Sequence, residues 1–227
     1  MPNIGNKQQR VDGPLKVSGQ ATYTADIASP FYHAYVLQSS IACGSIMELD
    51  TSAAEAFTGV KAIFTHKNLP ERLKNMVDYT DPLSPPGTPF RPFYNDKILY
   101  NGQPIALVVA ETFEQARYAS RLIKVTYEQK EFKGSLEENL KNASADRAPE
   151  PASNRGDFEK AFKNSDVSIT QEYRQSRNYH NPMEPHATSV VYKDDGSIVV
   201  YDKIQGVASS LKYLNGVFGL AADKVQV

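Results

Sequence analysis

The sequence predicts an α+β fold, and three observations carry that expectation. The first is a continuous apolar run, Ile105-Ala106-Leu107-Val108-Val109-Ala110, with the length and composition of a strand covered on both faces. The second is the three- and four-residue spacing of Phe113, Ala116, Ala119, Leu122 and Ile123 directly after it, which gathers these side chains on one face of a helix. The third is the set of short β-branched and aromatic runs, bounded by Gly, Pro, Asn and Asp, that fills much of the remaining chain.

In chain order, residues 1–14 read as a polar arm entering a turn at Asp12-Gly13-Pro14. Strands are expected over 21–25, 32–39 and 46–49. Asp50-Thr51-Ser52 offers cap residues for a two-turn helix over 53–57 that Gly59 closes, and a strand is expected over 60–65. Residues 78–95 read as an excursion loop, because Pro82, Pro85, Pro86, Pro89 and Pro92 deny both ladder donors and helix continuity. Strand 105–110, the helix after Glu111-Thr112 and strand 124–128 form a strand–helix–strand unit, compatible with a right-handed parallel crossover or with antiparallel pairing. Residues 129–157, poor in large apolar side chains and rich in charge and turn formers, are the best linker candidate. Beyond them, a short helix is expected over 157–162, a strand over 167–174, and a hairpin of 188–192 with 198–201 across Asp195-Gly196. A helix carrying Val207, Leu211, Leu214 and Phe218 leads to a strand beginning at Val225-Gln226-Val227.

Composition narrows the function. The chain has 227 residues, with 25 Lys+Arg against 26 Asp+Glu, so bulk positive charge does not drive nucleic-acid binding. A single cysteine, Cys43, excludes an internal disulfide and a Cys-rich zinc site and makes cytoplasm the default compartment. No stretch approaches the roughly 18–20 apolar residues of a membrane span, and the N-terminus lacks the apolar core of a signal peptide. Neither a nucleic acid nor a membrane is expected as partner.

The common catalytic signatures are absent: no Gly-x-Gly-x-x-Gly follows a strand, and there is neither a phosphate-binding Gly-Lys-Ser/Thr loop nor a Gly-x-Ser-x-Gly elbow. His180-Asn181-Pro182-Met183-Glu184-Pro185-His186 gathers two imidazoles and a carboxylate, donors that suit zinc or iron. Pro182 and Pro185 forbid the unbroken helix on which such pairs are usually mounted. The preferred reading is therefore a rigid extended loop in which Glu184 accepts backbone N–H groups, with no metal ligand assigned; a metal-dependent hydrolase using His180, Glu184 and His186 is the least favoured reading. Cys43 reads as a small core filler, for no basic residue near it in sequence would activate the thiol. Gln103 and Gln205, at the edges of apolar segments, read as structural amides or as fixed hydrogen-bond donors.

Longer motifs carry a resemblance. Arg10-Val11-Asp12-Gly13-Pro14-Leu15-Lys16-Val17-Ser18-Gly19-Gln20-Ala21-Thr22-Tyr23 resembles the opening of the molybdenum-binding large subunit of the xanthine dehydrogenase/aldehyde oxidase family. Gly102-Gln103-Pro104-Ile105-Ala106-Leu107-Val108-Val109-Ala110-Glu111-Thr112-Phe113-Glu114-Gln115-Ala116-Arg117 and Met183-Glu184-Pro185-His186-Ala187 are similar to it as well. The likeness runs from residue 10 onward in the family's order and is strongest to bacterial aldehyde oxidoreductase large subunits.

The resemblance implies an N-terminal arm over 1–14, an α/β-hammerhead domain over 15–130, a linker over 131–156, and the first, incomplete part of a molybdopterin-binding domain over 157–227. It implies hydroxylation of an aldehyde or an aromatic heterocycle with oxygen from water, and electron exit through iron–sulfur and FAD subunits or domains. Gln205 matches the family's cofactor-binding glutamine, whose amide reaches an oxygen ligand of the molybdenum. Its neighbours, Lys203-Ile204 and Gly206, depart from the usual motif. The family's Gly-Gly-Gly-Phe-Gly-Gly-Lys turn and its general-base glutamate have no counterpart in these 227 residues, so no catalytic residue is assigned. The expectation is a truncated, inactive portion of a molybdenum hydroxylase that binds no molybdopterin alone and needs the remaining large-subunit polypeptide. The alternative is a non-catalytic remnant serving as an assembly or interaction module. An exposed apolar face on residues 155–227, favouring self-association, is expected in either case.

Overall fold

The computed structural model describes residues 5, 7–27, 31–70, 73, 92–142 and 155–227. A one-turn helix α1 (Gly13–Val17), with Pro14 in its first turn, precedes a 3₁₀ turn at Thr24–Asp26. Strands β1 (His33–Gln38) and β2 (Gly44–Asp50) lead to helix α2 (Ser52–Glu55) and strand β3 (Val60–Thr65). Then come β4 (Lys97–Ile98), β5 (Pro104–Ala110), helix α3 (Phe113–Leu122) and β6 (Lys124–Gln129). Short helices α4 (Leu136–Leu140) and α5 (Phe158–Lys163) are followed by β7 (Thr188–Tyr192), β8 (Ile198–Asp202), α6 (Val207–Phe218), a 3₁₀ turn at Ala222–Lys224 and β9 (Val225–Gln226). Among the described residues no helix is long and apolar enough to cross a membrane.

The apolar run of β5 takes the middle place in its sheet, antiparallel to β1 on one side and β3 on the other. A second sheet has the order β4-β2-β6, also antiparallel. Both edges of β5 are thus filled, so β6 has no edge there to join and α3 carries the chain from one sheet to the other. That excludes a parallel crossover for β5-α3-β6. Thr112 starts α3 with a reciprocal cap: its hydroxyl accepts from the Gln115 N–H at 3.2 Å, and the Gln115 side chain accepts from the Thr112 N–H at 3.0 Å. Ile46, Leu49 and Ile98 of one sheet share a buried core with Ile63, Ile105 and Val108 of the other, and Ala119 and Ile123 close it. At Gly44, where β2 enters between its neighbours, φ is +146° and a Cβ would stand 2.0 Å from the Glu128 carbonyl oxygen, so only glycine fits.

A third sheet, β7-β8-β9, joins the hairpin antiparallel and β9 parallel to β8. The Asp195-Gly196 turn forms as expected, with Lys193 N–H donating to the Ser197 carbonyl at 2.9 Å and Gly196 at φ +77°. Ile198, Val200 and Val225 pack under Leu211 and Leu214 of α6.

Three expectations are corrected, and one strand is unanticipated. Residues 21–25 are not a strand: Asp26 N–H donates to the Tyr23 carbonyl and Tyr23 N–H to the Asp26 carboxylate, both at 2.9 Å, and close a turn instead. The helix at 53–57 is the single turn α2, started by the Asp50 carboxylate, which accepts from the Ser52 N–H at 3.0 Å. Residues 167–174 join no sheet among the described residues and are exposed. Strand β4, two residues long, is below the reach of pattern reading. Most of the 78–95 loop and residues 143–154 of the linker lie outside the described residues.

Candidate functional site

The β7–β8 hairpin brings together residues far apart in sequence. Its ladder pairs Thr188 with Asp202, and the Thr188 hydroxyl donates to the Asp202 carboxylate at 2.6 Å. One step further, Lys203 N–H donates to the Ala187 carbonyl at 3.3 Å. Antiparallel continuation therefore puts residues 183–186 and 204–206 at the same end of the hairpin. Gln205 stands there, exposed, between β8 and α6. Helix α6 follows directly, with Gly206 as its N-cap and therefore no side-chain cap.

Glu184 is half-buried, and its Oε1 accepts from both the N–H and the hydroxyl of Thr24, at 3.4 Å each. This matches the reading of Glu184 as an acceptor of backbone N–H. His180 and His186 are exposed. Among the described residues no group of three His, Cys, Asp or Glu side chains is arranged to hold a metal ion.

A cleft of about 440 Å³ opens between the N-terminal segment and the hairpin, lined by Leu15, Tyr23, Ile27, Glu184 and Tyr201 with Asp12 and Lys16 at its rim. Asp12 is held by Lys16 and by Arg10, each at 2.6 Å, and these two cations lower its carboxyl to about 2.

The two glutamines part company. Gln103 is buried, its Oε1 accepting from Leu99 N–H at 2.8 Å and its Nε2 donating to the Lys97 carbonyl at 2.7 Å, so it fastens β4. Cys43 is half-buried, and its carbonyl accepts from Lys130 N–H where β2 and β6 meet. Thr24 and Ser189, which hold the N-terminal turn against the hairpin, escape sequence reasoning. The available signal is the Tyr23–Asp26 spacing, which suits a closed turn better than a strand.

The donors around Gln205 fit part of a cofactor cradle. An uncharged amide next to a helix start suits an oxygen-bearing, anionic group without adding a titrating proton. One amide and one helix start do not by themselves enclose such a group.

Comparison with known proteins accounts for this partial site. Residues 18–131 match the family model described as aldehyde oxidase and xanthine dehydrogenase, a/b hammerhead domain, and residues 139–227 match that of the molybdopterin cofactor-binding domain. The chain is 34% identical over 192 residues to the aldehyde oxidoreductase molybdenum-binding subunit PaoC of Escherichia coli (strain K12), covering 83% of this chain and 25% of that one. It is 31% identical to a probable xanthine dehydrogenase subunit of Bacillus subtilis (strain 168), over 99% of this chain and 30% of that one. The solved aldehyde oxidoreductase from Desulfovibrio gigas superposes with a TM-score of 0.73 at 25% identity, over 97% of this chain and 26% of that one. Quinoline 2-oxidoreductase from Pseudomonas putida 86 shares the fold with a TM-score of 0.80 at 19% identity, over 98% of this chain and 30% of that one. The chain thus spans between a quarter and a third of the length of these relatives. With a hammerhead domain followed by molybdopterin-binding sequence, in that order, it belongs to the aldehyde oxidase/xanthine dehydrogenase family of molybdenum hydroxylases.

Proposed function

We propose that this chain supplies the N-terminal part of a molybdenum hydroxylase large subunit acting on aldehydes or on aromatic heterocycles such as purines, and that it does not turn over substrate by itself. The observation that carries the reading is the ordered pair of family matches over 18–131 and 139–227. When bound, the molybdenum cofactor supplies the two-electron oxidation. The contribution of this chain is to present the Gln205 amide as a neutral donor at the α6 start and to hold the hairpin that carries it. The glycine-rich turn and the general-base glutamate, missing from these 227 residues, belong in this reading to the remaining large-subunit polypeptide. Iron–sulfur and FAD subunits or domains would take the electrons. The complex would reside in the cytoplasm, or in the periplasm for an exported enzyme.

The alternative, an assembly or interaction module without cofactor, has one observation in its favour. Val167, Ile169 and Tyr173 are 77%, 78% and 87% exposed, in a stretch whose apolar residues alternate like those of a strand. Such a segment invites pairing with another chain or with a second copy.

Expression of the chain alone and together with a polypeptide bearing the missing turn and glutamate separates the two. The expected outcome is no stoichiometric molybdenum and no dye-linked aldehyde oxidation alone, and both in the complemented complex. Gln205→Ala should then lower turnover about a hundredfold, the scale for losing one preorganised donor. Molybdenum and turnover in the isolated chain would overturn the proposal. A complex that forms but never takes up the metal would favour the module.

A further inference from the structure

The hairpin sheet has two faces, and its register assigns them. Val190 lies opposite Val200, Tyr192 opposite Ile198, and Ile198 opposite Val225, so these share one face, on which Ile198, Val200 and Val225 pack under α6. The other face carries Ser189, Val191, Val199 and Tyr201. A hairpin with a two-residue third strand gains stability from further packing on that second face. The start of the chain reaches this face at Ser189 and Tyr201. Ser189 Oγ donates to the Thr24 carbonyl at 3.2 Å, and Tyr201 and Glu184 line one cleft with Leu15, Tyr23 and Ile27.

The turn at Thr24–Asp26 is built to be gripped. Its two closing hydrogen bonds leave the Thr24 N–H as an orphan first-turn donor, on a residue that is only 9% exposed. A buried N–H needs an acceptor, and the Glu184 carboxylate provides it. Pro182 and Pro185 fix the backbone on both sides of Glu184, which limits the directions its side chain can take. This gives the proline-stiffened loop a purpose that metal ligation does not.

We infer that residues 12–27 form an intramolecular strap over the outer face of the β7–β8 hairpin, and that Glu184 is the positioning residue that fastens it through Thr24. Because Glu184 and Gln205 occupy the same end of the hairpin, fastening the strap also sets the position of Gln205. The inference rests on hydrogen bonds and register alone, so its failure would leave the family reading intact.

Amide hydrogen exchange on the full 227-residue chain tests it. Two amides read the fastening directly: Thr24, which donates to Glu184, and Lys203, which donates to Ala187. In Glu184→Leu both should exchange about tenfold faster, as expected for losing a hydrogen bond to a charged acceptor. Amides of β1, β3 and β5 should keep their wild-type rates. Glu184→Gln retains a carbonyl acceptor and should stay within about threefold of wild type at both positions. Should Glu184→Leu fail to fold, Ser189→Ala, which frees the Thr24 carbonyl without changing charge, should accelerate the same two amides. Wild-type rates at Thr24 and Lys203 in the variant that folds, or equal acceleration across β1, β3 and β5, would overturn the inference.

Discussion

Residues 33–129 and residues 188–227 both fold strands against a helix, yet they are held in different ways. In the first region two three-stranded sheets close on one core, where Ile98, Val108 and Ala119 are 1%, 0% and 0% exposed. In the second, the buried cluster is Ile198, Val200 and Val225 beneath α6, and Ser189 on its outer face bonds the N-terminal turn at Thr24. Between them, residues 155–183 are exposed throughout. The first region closes its core between its own two sheets, whereas the second also bonds chain from the N-terminus. A unit that contributes one wall of a larger site is expected to look like the second, since the side chains that meet partner polypeptide have nothing to bury against when it is absent.

The sharpest way to break this comparison is to cut one matched side chain from each core. Ile98→Ala should cost about 2–5 kcal/mol, because the surrounding sheets cannot collapse into the space it leaves. Ile198→Ala, in a thin core that water and small shifts can relieve, should fall at or below the lower end of that range, about 2 kcal/mol. Denaturant midpoints read by exchange in β5 and in β8 give both numbers. Equal costs would mean that the hairpin core is as closed as the hammerhead core.

A smaller effect sharpens the same contrast at helix starts. Thr112 caps α3, whose Ala116 and Ala119 are fully buried, and Thr112→Ala should cost about 1 kcal/mol. Asp157 caps α5 through the Lys160 N–H at 3.0 Å, but α5 buries none of its residues. Asp157→Ala should therefore melt α5 locally, seen as lost protection at residues 160–163, and leave the unfolding midpoint of the β5 core unchanged.

How far each region is legible follows from the range of the forces that shape it. Strand β5, the helix after Glu111-Thr112 and the Asp195-Gly196 turn are specified by neighbours in sequence, and all three form as expected. Residues 21–25 have a strand's composition, but Tyr23 and Asp26 close a turn on themselves and the turn's remaining donor finds Glu184, 160 residues away. Residues 167–174 alternate as a strand should, yet no strand among the described residues pairs with them. At the site, the prolines around Glu184 suffice to mark it as an acceptor, while its donor is invisible to local reasoning. Gln205 stands out from other exposed amides only through the family resemblance, because nothing in its own neighbourhood distinguishes it. Gln103, with the same side chain, is consumed by β4.

The smallest expected effect concerns a group that belongs to the first region alone. His66 follows β3, and its Nδ1 is buried without a hydrogen-bond partner among the described residues. Burial, helped by the nearby Lys67 and opposed by Asp96, lowers the imidazole below its ordinary value of 6.5. The folded state therefore holds the neutral ring more firmly than the unfolded chain does. Above about pH 6.5 both states are neutral and the linkage costs nothing. As the pH falls below it, the unfolded chain takes up the proton first and stability is progressively lost. His66→Gln removes the titration, so its stability should decline less than wild type between about pH 7.5 and 5.5. Protection of the β3 and β5 amides, corrected for intrinsic exchange, should show the difference between the two proteins, and the β7–β8 amides should not. An equal pH response in both regions would mean that they unfold as one unit, and the contrast between a self-sufficient core and a dependent one would have to be given up.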